Sequence, residues 1–290
     1  MFQGSAVALV TPFKNGAIDE EGLNNLVEFQ IANGTNAIVP CGTTGESATL
    51  NYEEHKRVIA KTIQAVNGRV PVVAGAGSNS TEETVALTRY AKKAGADAAL
   101  LITPYYNKPT QEGLYQHFKK ISDEVDIPII LYNVPGRTSV NMLPETTARL
   151  SAIPNIIGIK EATGDLQQVS ETIKLCGENF SVISGDDANT LPIIAAGGVG
   201  VISVTANILP DKIADLCKAC LDGNFREARK LHYYLLDLNN IMFIETNPIP
   251  VKTALALLGK INNELRLPLA PLSESNLQKL KNLLKQFEII

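Results

Sequence analysis

Lys160 lies at the end of a short apolar segment, Ile156-Ile157-Gly158-Ile159, whose branched residues predict a buried strand. Burial disfavours the charged form of an amine, and the uncharged amine is the form that attacks carbonyl carbons. Lys160 is therefore a candidate nucleophile for Schiff-base formation. The alternative is that Lys160 ends the strand near the surface and pairs with a carboxylate.

Polar residues follow other apolar segments too, and each has two interpretations. The loop Gly42-Thr43-Thr44-Gly45 could offer N–H groups and hydroxyls to a carboxylate, or it could be a tight turn with a threonine capping a helix. Tyr132 could transfer protons near Lys160, or it could be an aromatic residue at a strand end. Arg137 could bind a second carboxylate through two parallel hydrogen bonds, or it could be an exposed loop charge.

Strand-like and helix-like segments alternate along most of the chain, which implies parallel strands joined by helices. Eight such units in about 220 residues favour a (β/α)8 TIM barrel. An open doubly wound sheet normally has a glycine-rich phosphate loop after the first strand, and Thr11-Pro12-Phe13 is not one. The predicted strands are Gly4–Val10, Ala37–Pro40, Val70–Ala74, Ala98–Ile102, Ile127–Tyr132, Ile156–Glu161, Phe180–Ser184 and Val199–Val204.

Beyond Pro210 the patterns predict only helices. We expect residues 1–223 to form the catalytic barrel and residues 224–290 a C-terminal helical appendage. The predicted helices are Glu20–Ala32, Tyr52–Val66, Thr81–Ala94, Glu112–Val125, Pro144–Leu150, Leu166–Leu175, Ala188–Ala196, Ile213–Leu221, Phe225–Ile241, Pro250–Leu258 and Glu274–Phe287.

In such a barrel the active site lies where the strands end, so the polar residues named above should converge there. The run Gly197-Gly198-Val199-Gly200 could be mistaken for a phosphate loop. It precedes the eighth strand instead of following it, so we interpret it as a helix cap and turn.

Composition excludes several classes of function. A net charge of -4 with scattered basic residues does not fit a nucleic-acid-binding protein. No signal peptide or membrane-spanning segment is evident, and the four cysteines show no disulfide framework, so we expect a cytoplasmic protein. The three histidines lack metal-ligand spacing, so we expect no metal and no cofactor.

Two motifs resemble signatures of the pyruvate-dependent class I aldolase superfamily, and within it the dihydrodipicolinate synthase family is the nearest. One runs from Ala37 to Ser47, with Glu53 beyond it, and the other from Tyr132 to Ala162. The segment Asn247–Lys252 also resembles the family's C-terminal helices. The resemblance extends from Gly4 to about Leu283.

The resemblance implies a reaction and an assembly. Lys160 would condense with pyruvate, whose carboxylate the loop with Thr43 and Thr44 would hold. The resulting enamine would attack L-aspartate 4-semialdehyde, in the diaminopimelate route to L-lysine. Thr43, Tyr106 and Tyr132 would relay protons, with Tyr106 supplied by a neighbouring subunit of a homotetramer built as a dimer of dimers. Gly185 and Ile202 would contribute backbone groups near the substrate.

Arg137 separates the possible activities. The resemblance implies that Arg137 holds the carboxylate of the semialdehyde, whereas relatives that cleave sugar acids usually lack this arginine. The alternatives are an N-acetylneuraminate lyase or a 2-keto-3-deoxy sugar acid aldolase. Outside the enzymes, the alternative is a catalytically idle barrel that serves as a binding protein.

A second cluster corresponds to the site where L-lysine inhibits some members of the family. We therefore expect L-lysine to inhibit this protein. Tyr52 departs from the pattern, because a histidine is common at its position. The residues of the cluster are Ser47, Ala48, His55, Asn79, Glu83 and Tyr105.

Overall fold

Eight parallel strands form a nearly closed barrel in the computed structural model, which describes residues 3–290. Their order is β4-β1-β10-β9-β8-β7-β6-β5, and β2 and β3 form a separate antiparallel hairpin. The strands are β1 (Gly4–Ala8), β2 (Phe13–Lys14), β3 (Ala17–Ile18), β4 (Ala37–Val39), β5 (Val73–Gly75), β6 (Ala98–Ile102), β7 (Ile129–Asn133), β8 (Ile156–Glu161), β9 (Ser181–Ser184) and β10 (Gly200–Ser203).

Helices connect the strands, and side-chain caps start several of them. Asn51 and Glu54 form a capping box at the start of α2, and Ser80 accepts from the Glu83 amide at the start of α3. The helices are α1 (Glu20–Ala32), α2 (Tyr52–Val66), α3 (Thr81–Ala94), α4 (Gln111–Glu124), α5 (Pro135–Thr138), α6 (Pro144–Ser151), α7 (Leu166–Cys176), α8 (Thr190–Ala195), α9 (Pro210–Leu221), α10 (Phe225–Ile241), α11 (Ile249–Leu257) and α12 (Glu274–Gln286).

The barrel closes between β4 and β5 through a short seam. Ile38 bridges to Val72, and the Ile38 amide donates to the Pro71 carbonyl oxygen at 3.0 Å. The Gly75 amide donates to the Pro40 carbonyl oxygen at 2.9 Å. A Cβ at Gly75 would lie 2.2 Å from the Cys41 carbonyl oxygen, so only glycine permits this approach.

Successive side chains along each strand point to opposite faces of the barrel wall, and this gives two apolar layers, one under the helices and one inside the barrel. Leu131 and Ile159 point outward and pack under the helices, while Ile130, Tyr132 and Ile183 point into the barrel. Lys160 stands opposite Tyr132 on β7 and Ile183 on β9. The same alternation therefore places Lys160 inside the barrel and Glu161 outside it.

The predicted (β/α)8 barrel is confirmed, with differences in detail. The β2–β3 hairpin was not predicted, because its strands are only two residues each. Pro71 and Pro128 cannot donate a backbone hydrogen bond, and β5 and β7 begin beyond them, at Val73 and Ile129. The expected helix from Ala188 starts as a 3-10 turn, and its α-helical part begins at Thr190.

The C-terminal helices α10, α11 and α12 follow α9, the last helix of the barrel. The expected division between residues 223 and 224 stays a prediction. Within residues 3–290, no helix is both long enough and apolar enough to cross a bilayer.

Candidate active site

A cavity of about 310 Å³ opens at the carboxyl ends of the barrel strands. This is the end at which active sites form in such barrels. We call it the lysine-160 cavity. Its lining comes from strand ends, loops and the C-terminal segment after α10. The residues that line it are Thr43, Thr44, Tyr132, Val134, Arg137, Lys160, Ala162, Gly185, Asp186, Val204, Phe243 and Asn247.

Lys160 is 5% exposed, and its Nζ lies 4.3 Å from the centroid of the Tyr132 ring. No carboxylate of residues 3–290 lies within 4.0 Å of that Nζ. The geometry does not match the alternative of a surface ion pair. Gly185 makes room for the lysine, because a Cβ there would lie 3.0 Å from Lys160 Cε and 2.8 Å from Ala162 Cβ.

The loop after β4 is a compact turn that leaves the amides of Thr43 and Thr44 unused. The Gly45 amide donates to the Gly42 carbonyl oxygen and the Glu46 amide to that of Thr43, both at 3.1 Å. The amides of Thr43 and Thr44 donate to no group in the described part of the chain. Asn51 caps α2, so neither threonine is needed there. The turn can therefore present N–H groups to an anion.

Asn247 joins two parts of the cavity wall. Its Nδ2 donates to Thr44 Oγ1 at 3.0 Å, and its carbonyl oxygen accepts from Arg137 Nη2 at 3.0 Å. Asn247 is 4% exposed. The guanidinium of Arg137 forms no ion pair with residues 3–290, so its remaining donors can bind a substrate carboxylate.

Glu161 and Asp187 are buried carboxyl groups beside the cavity. Burial raises the pKa of both, and hydrogen bonds to them oppose that effect. The Glu161 carboxyl accepts from the Thr163 amide at 2.9 Å and from Asn133 Nδ2 at 3.2 Å. Asp187 accepts from Ser203 and from the Val204 amide. Both groups therefore brace strand ends rather than face the cavity.

Tyr106 and Ile202 do not line the lysine-160 cavity. Tyr106 is 89% exposed and has a left-handed backbone with φ of 72°. Ile202 is 1% exposed within β10. The structure therefore brings together Thr43, Thr44, Tyr132, Arg137, Lys160 and Gly185, and it leaves Tyr106 at the surface of the chain.

A second cavity of about 410 Å³ adjoins the first, and Thr43, Arg137 and Asn247 line both. Five of the six residues expected to bind L-lysine line this cavity, namely Ser47, Ala48, His55, Glu83 and Tyr105. Asn79 does not line it, but its Nδ2 donates to the Tyr105 carbonyl oxygen at 3.1 Å.

Two of the polar residues that line the second cavity have pKa values shifted by burial. Burial lowers the pKa of His55, whose Nε2 lies 2.7 Å from the Gly75 carbonyl oxygen. Burial also raises the pKa of Tyr52, which lines the cavity where a histidine was expected. Glu83 is exposed and accepts from Ser78 Oγ at 2.7 Å. Its carboxylate can face a ligand ammonium group.

Two lining residues, Phe243 and Asn247, had no role in the sequence analysis. Both follow α10 and reach the cavity only because the C-terminal segment folds back over the barrel. Asn247 was singled out as part of a motif, yet nothing in the motif indicates its contact with Thr44. No cluster of three or more metal-ligating side chains occurs within residues 3–290.

Comparisons with known proteins agree with this geometry. The model of the dihydrodipicolinate synthetase family matches residues 1–287. The chain is 64% identical over 290 residues to a 4-hydroxy-tetrahydrodipicolinate synthase of Citrifermentans bemidjiense, covering 100% of both chains.

Solved structures give the same result. A chloride-inhibited dihydrodipicolinate synthase of Acinetobacter baumannii, complexed with pyruvate, has a TM-score of 0.98 and 50% identity, with 100% of both chains covered. The enzyme of Cyanidioschyzon merolae with lysine bound has a TM-score of 0.97 and 41% identity, with 100% of this chain and 99% of that chain covered.

Proposed function

Because the chain belongs to the dihydrodipicolinate synthetase family, we propose that the lysine-160 cavity condenses pyruvate with L-aspartate 4-semialdehyde. The protein is an enzyme, a lyase with 4-hydroxy-tetrahydrodipicolinate synthase activity, which belongs to the diaminopimelate route to lysine. The observation that carries the assignment of the site is Lys160, a buried amine beside Tyr132 with no carboxylate partner in residues 3–290.

The chemistry begins at the Lys160 amine. It attacks the ketone carbon of pyruvate and water leaves, which gives an imine. Loss of a methyl proton gives an enamine, whose carbon bonds to the aldehyde carbon of the semialdehyde. The amino group of the semialdehyde then attacks the imine carbon, and the bond to Lys160 breaks as the ring closes. The free amine returns and the cyclic product leaves.

Each lining group has a role in this sequence. The unused amides of Thr43 and Thr44 bind the pyruvate carboxylate, while Arg137 binds that of the semialdehyde. Gly185 leaves room for Lys160, and Ile202 in β10 keeps its proposed role as a backbone contact, although it does not line the cavity. Tyr132 and Thr43 carry protons, and an exposed Tyr106 from a neighbouring subunit completes the relay.

Reductive trapping tests the proposal directly. The protein is incubated with pyruvate, reduced with borohydride and weighed by mass spectrometry, and a peptide map locates the added mass. We expect one reduced pyruvyl group per chain, on Lys160. Lys160→Ala should carry none, and Lys119→Ala, on the surface of α4, should be labelled like the wild type. An unlabelled wild type would contradict the proposal and favour a catalytically idle barrel.

A comparison of two aldehyde substrates then distinguishes the synthase from the sugar-acid lyases. Turnover with pyruvate is measured with L-aspartate 4-semialdehyde and with N-acetylmannosamine as the aldehyde. We expect turnover only with the semialdehyde, because a polyhydroxy aldehyde has no carboxylate for Arg137. Preference for the sugar would assign the protein to the sugar-acid lyases.

We also propose that L-lysine binds the second cavity and inhibits the enzyme. Glu83 offers a carboxylate to an ammonium group, and His55 and Tyr105 line the same cavity. Turnover is measured with and without millimolar L-lysine, and with D-lysine as the control. Equal rates in all three would contradict this regulation.

The assembly that fits the exposed Tyr106 is a homotetramer built as a dimer of dimers, in which pairs of subunits exchange this residue. We propose a cytoplasmic location, since the four cysteines are all free thiols, as is usual in a reducing compartment.

A further inference from the structure

A fully buried ion pair lies next to the loop that carries Thr43 and Thr44. Lys252 on α11 and Glu46 at the end of the loop have 0% exposed side chains, and Lys252 Nζ lies 2.5 Å from Glu46 Oε1. The second oxygen of Glu46, Oε2, accepts from the Arg266 amide at 3.1 Å. Both carboxylate oxygens therefore have partners from the C-terminal part of the chain.

The backbone at Glu46 adopts a conformation that is uncommon for a residue with a side chain. Glu46 has φ of 54° and ψ of 36°, in the left-handed region that disfavours every residue with a Cβ. Its amide also closes the turn by donating to the Thr43 carbonyl oxygen. One residue thus ends the turn and anchors it to α11.

Charged and aromatic groups surround the pair. The Phe13 ring has Lys252 Nζ 4.2 Å from its centroid and Arg266 Cζ 4.3 Å from it. Arg266 also binds Glu54 on α2 through two hydrogen bonds of 2.6 and 2.7 Å. Burial lowers the pKa of Lys252, and the charge of Glu46 opposes that effect.

A gain in stability does not by itself explain why the chain has a buried ion pair here. Removing two charges from water costs about as much as their attraction returns, so apolar side chains could fill the same space as well. What an ion pair adds is a fixed geometry. Here it acts in parallel with the hydrogen bond from Asn247 to Thr44, which joins the same loop to a residue two positions before the start of α11.

We propose that Glu46 and Lys252 are positioning residues, which hold the turn so that the amides of Thr43 and Thr44 meet the pyruvate carboxylate. The inference rests on the proposed function, because it assigns pyruvate to that turn. It makes the C-terminal helices part of the pyruvate site, although neither charged group touches the substrate.

The test measures how much pyruvate is needed to form the imine. The half-saturating pyruvate concentration for borohydride trapping on Lys160 is determined for the wild type, Glu46→Gln and Lys252→Met, together with KM for both substrates and the melting temperature. We expect half-saturation and the pyruvate KM to rise about tenfold in both variants, since a displaced turn binds the carboxylate poorly. The KM for the semialdehyde should stay within about twofold.

Two further variants sharpen the result. Lys252→Arg keeps the charge and should recover most of the pyruvate affinity. Lys230→Met removes an exposed ion pair of α10, with Lys230 64% exposed, and should leave pyruvate saturation unchanged. If Lys252→Met does not fold, Glu46→Gln decides, because the amide keeps the size of the side chain and one oxygen that can accept from the Lys252 ammonium group.

The outcomes separate this inference from the proposed function. A lower melting temperature with wild-type pyruvate saturation would mean that the pair serves stability alone, and the inference would fail. Equal rises in the KM values of both substrates would also overturn it, because the effect would not be confined to the turn. A wild type that forms no pyruvate adduct would instead overturn the proposed function.

Discussion

At the scale of single residues, the proposed role of Arg137 in choosing the aldehyde substrate depends on its unused hydrogen-bond donors. Its guanidinium lines the cavity, spends one donor on the Asn247 carbonyl oxygen and forms no ion pair within residues 3–290. Most of its hydrogen-bonding capacity is therefore free for a second carboxylate. Imine formation on Lys160 does not need that carboxylate, so the two half-reactions should respond differently to a change at this position.

We expect Arg137→Ala to lower kcat/KM for L-aspartate 4-semialdehyde about 100-fold, because truncation removes a charge-assisted hydrogen-bonding partner. Trapping of pyruvate on Lys160 should be nearly unchanged. For Arg137→Lys, kcat/KM for the semialdehyde should lie between the values for the wild type and Arg137→Ala, because lysine keeps the charge but lacks the planar guanidinium group. Arg89→Ala, which removes an exposed surface arginine, is the control. Equal loss of trapping and turnover in Arg137→Ala would show that Arg137 does not act on the aldehyde substrate.

The cavity residues that sequence patterns could predict are those that lie at the carboxyl ends of strands or in the loop just beyond them. Lys160, Tyr132, Thr43 and Thr44 belong to this group, because barrel geometry gathers strand ends. Asn247 could not be placed in this way. Its contact with Thr44 spans 203 positions and depends on how the C-terminal helices fold back over the barrel.

At the scale of elements, α3 and α4 meet at a buried histidine. His117 on α4 is 6% exposed, and its Nδ1 lies 2.8 Å from Thr81 Oγ1 at the start of α3. Its Nε2 has no hydrogen-bond partner in the described part of the chain. Burial lowers the pKa of His117 to about 4, so the folded protein keeps this side chain neutral.

This histidine should make stability depend on pH. Between the unfolded pKa of about 6.5 and the folded value of about 4, the unfolded chain binds the proton and the folded chain does not. The free energy of unfolding should therefore fall as pH drops through that window, by about 3 kcal/mol in total. Urea unfolding at several pH values measures it. His117→Gln should lose this part of the slope, and a slope equal to the wild type would contradict the assignment.

Regular elements were predicted well, because periodic apolar residues and caps are local signals. The β2–β3 hairpin escaped prediction, because its two-residue strands show no periodicity. The hairpin is held in place by a residue that is distant in sequence. The Asn15 and Gly16 amides donate to the Glu264 carboxylate at 2.9 and 3.0 Å. Such contacts appear only once the whole chain is folded.

At the scale of the whole molecule, one proposed catalytic group lies outside the cavity of its own chain. Tyr106 is 89% exposed and does not line the cavity that holds Lys160. An isolated subunit would then have an incomplete proton relay. Activity should therefore depend on the pairing of subunits as well as on their folding.

Mixing two inactive variants tests this dependence. Lys160→Ala and Tyr106→Phe are co-expressed with different tags, and the mixed assembly is isolated. Each mixed pair contains two sites, of which one has an intact Lys160 and a Tyr106 from its partner, so an assembly of mixed pairs should have about half of wild-type activity. Lys160→Ala co-expressed with Lys160→Ala is the control. No recovery in the mixed assembly would show that Tyr106 serves its own subunit.

The short seam between β4 and β5 also affects how the barrel moves. It consists of one bridge at Ile38 and the hydrogen bond from the Gly75 amide to Pro40, whereas β7 and β8 share five paired positions around Lys160. Local unfolding starts where the fewest backbone bonds must break. Amide deuterium uptake should therefore be faster at the seam than around Lys160. The side of the cavity proposed to receive the pyruvate carboxylate would then open more often than the strands that hold Lys160.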